Sequence, residues 1–107
     1  SMAFYKLDEL NARQVNPGFL AKFVHSERMS IGFWEIAAGS RLPEHSHMHE
    51  QVSYVMAGRF EFTVGGETRL VEAGSVVTIP ANVLHSGLAL TDCRVVDVFS
   101  PVREDYR

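Results

Sequence analysis

The stretch RFEFTVGGETRLVEAGSVVTIP, residues 59–80, alternates apolar and polar residues and then turns back on itself. Phe60, Phe62 and Val64 fall on one side of an extended chain, and Arg59, Glu61 and Thr63 on the other, because successive side chains of a strand point to opposite faces. Gly65-Gly66 tolerates the positive φ angles that a two-residue hairpin connection needs. ETRLVE then runs back, Gly74 turns the chain again, and SVVTIP is β-branched until Pro80 stops it. The same rhythm extends outward. MSIGFWEIA (29–37) ends at Ala38-Gly39-Ser40, QVSYVMA (51–57) ends at Gly58, and HSGLAL and CRVVDVF are separated by Thr91-Asp92. Residues 3–28 are mixed, with a turn signal at Asn16-Pro17-Gly18 and a short helical turn near residues 6–13. Strands spaced about every 8 to 12 residues, without crossover helices, predict an all-β antiparallel sandwich or barrel, and a compact jelly roll fits the length.

The 107 residues form one domain, large enough to bury a core without disulfide staples. Hydrophobic residues make up 46% and charged residues 21%, with a net charge of −3 and a pI near 5.9. No long basic run is present, which argues against nucleic acid as a partner. No apolar stretch approaches a membrane span and no secretory signal opens the chain. Ser1-Met2 reads as an expression scar before the native start. The single Cys93 has no partner within the chain, and a reducing cytoplasm is the expected compartment.

Three of the five histidines stand in HSHMHEQ, residues 45–51. His45, His47, His49 and Gln51 share one parity, so in an extended chain they look to one face; a turn between His47 and Gln51 would change that and still bring Gln51 round. Two neutral imidazoles at i and i+2 can grip one metal ion, although a polar segment of this kind is equally at home as a solvated loop. His85 adds a fourth imidazole, at the start of the strand that follows Pro80. If that strand lies beside the one bearing His45 and His47, three imidazoles and an amide oxygen form a mostly neutral site with room for water or substrate.

These residues resemble the two sequence motifs of the cupin superfamily. The first reads Gly39-SRLPE-His45-Ser46-His47-MHE-Gln51-VSYVMA-Gly58, with Gln51 in a position the family fills with glutamate. The second reads Gly74-SVVTI-Pro80-Ala81-Asn82-VL-His85-SGL-Ala89. Asn82 replaces a glycine there and also accepts positive φ; the motif's final asparagine is absent. The resemblance implies a double-stranded β-helix barrel with His45, His47, Gln51 and His85 on one divalent transition metal, for which imidazole donors suit zinc, nickel, iron or manganese. It leaves His49 free, as a residue of the pocket or its rim. A neutral amide at residue 51 leaves the metal more attractive to an anionic ligand than a carboxylate would.

The second informative stretch is VVDVFSPVRED, residues 95–105. Val95, Asp97 and Phe99 share one strand face, and Arg94, Val96 and Val98 the other. Facing inward, Asp97 is a carboxylate in an apolar lumen, tuned by burial and by any nearby cation for proton transfer; facing outward it is an ordinary surface residue. Arg103 follows a Ser-Pro turn and can fold back over the mouth to hold a carboxylate, or pair with Glu104, Asp105 or the terminus. HSHxHxQ, GGE, IPANVLH and DVFSPVREDY together resemble the KdgF-type cupins of pectin and alginate breakdown. Members of that group convert 4,5-unsaturated uronic acid monosaccharides to linear ketonised sugars. The resemblance implies Asp97 as the pocket acid, Phe99 as its aromatic and Arg103 as its arginine, with a carboxylated sugar as substrate. It also points to a homodimer, as do the outward Val96 and Val98 and the apolar 31–37 strand. The other readings are a small metal-binding cupin that holds a sugar or metabolite, and an iron-dependent dioxygenase.

Overall fold

A computed structural model describes residues 3–107 of the chain, so Ser1-Met2, and the reading of them as a scar, lie outside the described residues. Ten strands build two antiparallel sheets. The larger sheet contains β1 (Arg13–Asn16), β2 (Phe19–His25), β3 (Ser30–Ile36), β10 (Cys93–Ser100), β5 (Glu50–Ala57) and β8 (Val76–Ile79), in that order. The smaller contains β4 (Arg41–His45), β9 (His85–Ala89), β6 (Arg59–Val64) and β7 (Glu67–Glu72). Every pairing is antiparallel. The Gly65-Gly66 turn closes the β6–β7 hairpin in the expected register, with Val64 opposite Glu67. Single 3-10 turns at Leu7–Glu9 and Glu104–Tyr106 are the helical elements among the described residues.

One hairpin went unread in the sequence. β1 and β2 flank the Asn16-Pro17-Gly18 turn, and FLAKFVH showed no alternation because both of its faces are largely apolar. Phe19, Ala21 and Phe23 point inward against Trp34 and Ile36 of β3, while Leu20 and Val24 point outward. An apolar run buried on one face and sticky on the other hides its period.

The two sheets close on a core of Phe19, Trp34, Val55, Phe60, Phe62, Val71 and Val95. Each large side chain there contributes roughly 1.5–3 kcal/mol by leaving water. The inner face changes character along the barrel. On β5 the inward residues run Gln51, Ser53, Val55; on β10 they run Val95, Asp97, Phe99. One end of the barrel is therefore apolar, and the other carries buried polar groups that must find partners to offset their desolvation. The functional question lies at that polar end.

The outer face of the larger sheet is unusual for a sheet with a solvated side. Two rows of residues cross it strand by strand: Val24, Ile31, Val98 and Val52 in one, Phe33, Val96, Tyr54 and Val76 in the next. Val52, Tyr54 and Val76 are exposed.

Candidate metal centre and its pocket

β4 and β9 pair so that His45 stands directly opposite His85, with ring centroids 4.2 Å apart. The chain bends after His45, so the shared parity of residues 45 to 51 is broken before β5 begins at Glu50. His47 sits in that bend and turns its ring to within 4.9 Å of His85 and 5.7 Å of His45. The bend is fastened from across the site: Asn82, at φ 65°, donates its backbone N–H to the His47 carbonyl at 2.8 Å. Gln51 then enters from the first inward position of β5.

The three imidazoles are oriented by one device. His45 Nδ1 lies 2.8 Å from the Pro43 carbonyl, His85 Nδ1 2.9 Å from that of Val83, and His47 Nδ1 2.9 Å from that of His49. A carbonyl only accepts, so each Nδ1 carries the proton and each Nε2 keeps its lone pair. His85 Nε2 is buried with no hydrogen-bond partner among the described residues. His47 Nε2 lies 3.0 Å from Gln51 Oε1, and in this tautomer two lone pairs face each other. Burial pushes His85 down to about 4. Burial, followed by the charge of Arg103, holds His47 below its ordinary value. Both are thus neutral at pH 7, the form that binds a metal. The three rings offer ligand nitrogens within 4.8 Å of one another. Orphaned lone pairs aimed at a common point are what a divalent cation would satisfy, and His45, His47, His85 and Gln51 fit one.

A hydrogen-bonded chain leads inward from Gln51. Its Nε2 donates to Ser53 Oγ at 3.0 Å, and Ser53 Oγ donates to Asp97 Oδ1 at 2.5 Å. This order fixes the amide: its oxygen is the atom turned toward His47. Asp97 lies on β10 between β3 and β5, its neighbours being Gly32 and Ser53. It is therefore a central-strand residue facing the lumen, and the surface alternative fails. Burial raises its carboxyl to about 6, against the lowering effects of the Ser53 and Gln51 hydrogen bonds and the Arg103 charge. Gly32 is needed at this spot. A Cβ there would stand 2.9 Å from the Phe23 ring and 3.0 Å from Trp34 Nε1.

Arg103 folds back to the cavity and also pairs with Asp105. It lines the cavity and is 6% exposed, yet its Nε and Nη2 grip the Asp105 carboxylate at 3.0 and 2.8 Å. The fork is thereby aimed, with Nη1 outside that pair. The guanidinium lies between two rings, 4.0 Å from the Tyr106 centroid and 4.7 Å from that of Phe99, a geometry favourable for Arg. A cavity of about 290 Å³ brings His45, His47, Gln51, Ser53, His85, Asp97, Phe99 and Arg103 onto one surface, with Trp34 and Tyr106 beside them.

The sequence matches the Cupin domain family over residues 32–99. The chain belongs to the cupin family. This cupin is 40% identical over 102 residues to the uncharacterized protein SCO3923 of Streptomyces coelicolor (strain ATCC BAA-471 / A3(2) / M145), spanning 94% of this chain and 97% of that one. It is 30% identical over 102 residues to the pectin degradation protein KdgF of Dickeya dadantii (strain 3937), spanning 92% and 93%. The structure of KdgF from Halomonas sp. superposes with a TM-score of 0.92 at 30% identity, over the whole of both chains.

Of the residues singled out in this cupin's sequence, His49 stands apart. Its ring packs edge-on to His47 at 5.5 Å, but it lies outside the His45–His47–His85 cluster and does not line the cavity. The lining residues beside the polar cluster that had not been singled out as site residues include Ser53, Trp34 and Tyr106. Ser53 had a signal, since it lies two residues beyond Gln51 on the same strand face. Tyr106 had none, because it reaches the pocket through a turn at the very end of the chain.

Proposed function

We propose that this cupin is a metal-dependent enzyme that opens 4,5-unsaturated uronic acid monosaccharides to their linear ketonised isomers. The observation that carries the reading is the chain Gln51–Ser53–Asp97, which joins the candidate metal centre to a buried carboxyl in the same cavity as Arg103. The likeness to proteins named KdgF supports the substrate class. A metal held by His45, His47, His85 and Gln51 supplies Lewis-acid stabilisation of negative charge on substrate oxygen when bound, and four neutral ligands leave its full charge available for that.

Arg103 holds the substrate carboxylate, and Phe99 and Tyr106 pack against its guanidinium. Asp97 takes the proton from the anomeric hydroxyl. The C1–O5 bond breaks, the C1 oxygen becomes the aldehyde carbonyl, and the electron pair goes to O5 as an enolate over C4 and C5. Asp97 returns its proton to C4, giving the 5-keto product. One proton moves and no other reactant is consumed. A carboxyl with a pKa near neutrality can both accept and return that proton, whereas an ordinary aspartate is a poor donor at pH 7.

The decisive measurement is the absorbance of the conjugated enol-carboxylate of an unsaturated uronate. The metal-loaded protein should bleach it, and a chelator should stop the bleaching. Unchanged absorbance with metal loaded would reject the reaction in favour of a cupin that only holds a sugar or metabolite.

A homodimer belongs to the same reading. The two apolar rows across the outer face of the larger sheet offer a continuous surface of the kind that marks association, and a twofold axis would set it against its own copy. Light scattering at micromolar concentration should give twice the 12.0 kDa chain mass. A monomer mass there rejects the dimer and leaves the chemistry of the pocket untouched.

A further inference from the structure

His25 takes no part in the site described so far. It ends β2, directly opposite Ser30 at the start of β3. The hairpin between them is already closed by the backbone, with Ser26 N–H donating to the Met29 carbonyl at 2.9 Å. The side chains of His25 and Ser30 turn instead to the far end of the protein. Ser30 Oγ accepts the backbone N–H of Arg103 at 2.8 Å and lies 2.8 Å from His25 Nδ1; His25 Nε2 lies 3.2 Å from the Tyr106 carbonyl. The proton order follows from the partners. The Tyr106 carbonyl only accepts, so Nε2–H donates to it, and Nδ1 of that tautomer accepts the Ser30 hydroxyl proton while Ser30 Oγ accepts from Arg103. A neutral imidazole of one tautomer satisfies every group in the chain.

The pair grips both ends of one turn, since Tyr106 N–H donates to the Arg103 carbonyl at 3.1 Å. The rings add a second grip. His25 stacks on Phe23 (5.9 Å), Phe23 on Tyr106 (4.5 Å), and Arg103 lies between Tyr106 and Phe99. The cation over the pocket is therefore the end of a stack that begins at His25. We infer that His25, acting with Ser30, is a positioning residue that latches the C-terminal turn so that Arg103 meets a substrate carboxylate. This rests on the uronate reading, in which Arg103→Ala raises KM.

His25→Phe keeps a ring to stack on Phe23 and removes both hydrogen bonds. In the metal-loaded protein it should raise KM for the unsaturated uronate about tenfold, the weight of roughly one good hydrogen bond, with kcat within about twofold. Ser30→Ala should do the same. His25→Gln, whose amide can accept from Ser30 and donate to Tyr106, should restore most of the loss. On an Arg103→Ala background His25→Phe should add nothing, because its effect passes through Arg103. Equal KM penalties on both backgrounds overturn the inference, as does wild-type KM in both His25→Phe and Ser30→Ala. Calorimetry with saturated galacturonate separates this from the reaction itself. If the wild type binds it and His25→Phe binds it about tenfold more weakly, the latch stands even where turnover is not seen. If the wild type binds galacturonate no better than neutral galactose, there is no carboxylate clamp and the inference falls.

Discussion

Asp97→Asn should lower kcat on the unsaturated uronate by about 10²-fold or more, the low end for a general acid–base residue, while the protein keeps its metal. Asparagine preserves size and can still accept from Ser53, but it cannot take or return a proton. The pH dependence should move with it. Asp97 acts first as a base, and burial raises it to about 6. The wild-type kcat/KM should therefore fall on the acid side at or below about pH 6, the lower values reflecting a bound cation, and the residual activity of Asp97→Asn should lack that limb. A stability effect of opposite sign should accompany the loss. A carboxyl whose folded pKa is raised from 3.8 to about 6 favours folding below about pH 4, and that contribution erodes as pH climbs through 6. Above pH 6 the ionised carboxylate is a standing cost of at most about 3 kcal/mol. Chelated Asp97→Asn should accordingly unfold at higher denaturant than chelated wild type at pH 7.5, and the gap should close by pH 4. Wild-type turnover by Asp97→Asn would remove Asp97 from the chemistry.

The strands that the sequence disclosed had either one wet face or turn residues marking their ends, as CRVVDVF has between Thr91-Asp92 and Pro101. RFEFTV reads cleanly because Arg59, Glu61 and Thr63 meet solvent opposite Phe60 and Phe62. FLAKFVH did not read, because its outer face carries Leu20 and Val24 on the apolar side of the larger sheet. The three-histidine cluster was legible for a different reason. His45 and His85 are brought opposite each other by the pairing of β4 and β9. The tail resisted. Asp97 announced its parity on β10, but nothing in VREDY tells that Arg103 threads between Phe99 and Tyr106 and is aimed by Asp105. Such contacts depend on where a turn of the last few residues lands, and neither period nor propensity encodes that. The parity argument for His47 also failed locally: the chain bends between β4 and β5, and a backbone hydrogen bond from Asn82, in the turn before β9, fastens the His47 carbonyl.

His85→Ala should abolish metal binding and turnover together. His85 is 2% exposed, and its Nε2 is buried with no hydrogen-bond partner among the described residues. Its loss takes away one imidazole, and the remaining His45 and His47 come from the end of β4 and the bend that follows it. Wild type purified without chelator should carry up to about one equivalent of metal per chain and His85→Ala close to none. A metal that binds the folded state alone stabilises it by about 2.7 kcal/mol at a free concentration of 100 times Kd. For a domain of this size that is a rise in Tm on the order of 10 °C. Added zinc or nickel should produce that rise in wild type and not in His85→Ala. The chelated forms, compared with each other, report what the imidazole does for packing alone. His49→Ala provides the internal contrast. It lies two residues from His47 and outside the cluster, so it should keep its metal and its Tm response. Retention of about one equivalent by His85→Ala would place the metal elsewhere. Loss in His49→Ala as severe as in His85→Ala would mean that the ligand set had been drawn from the wrong pair of nitrogens.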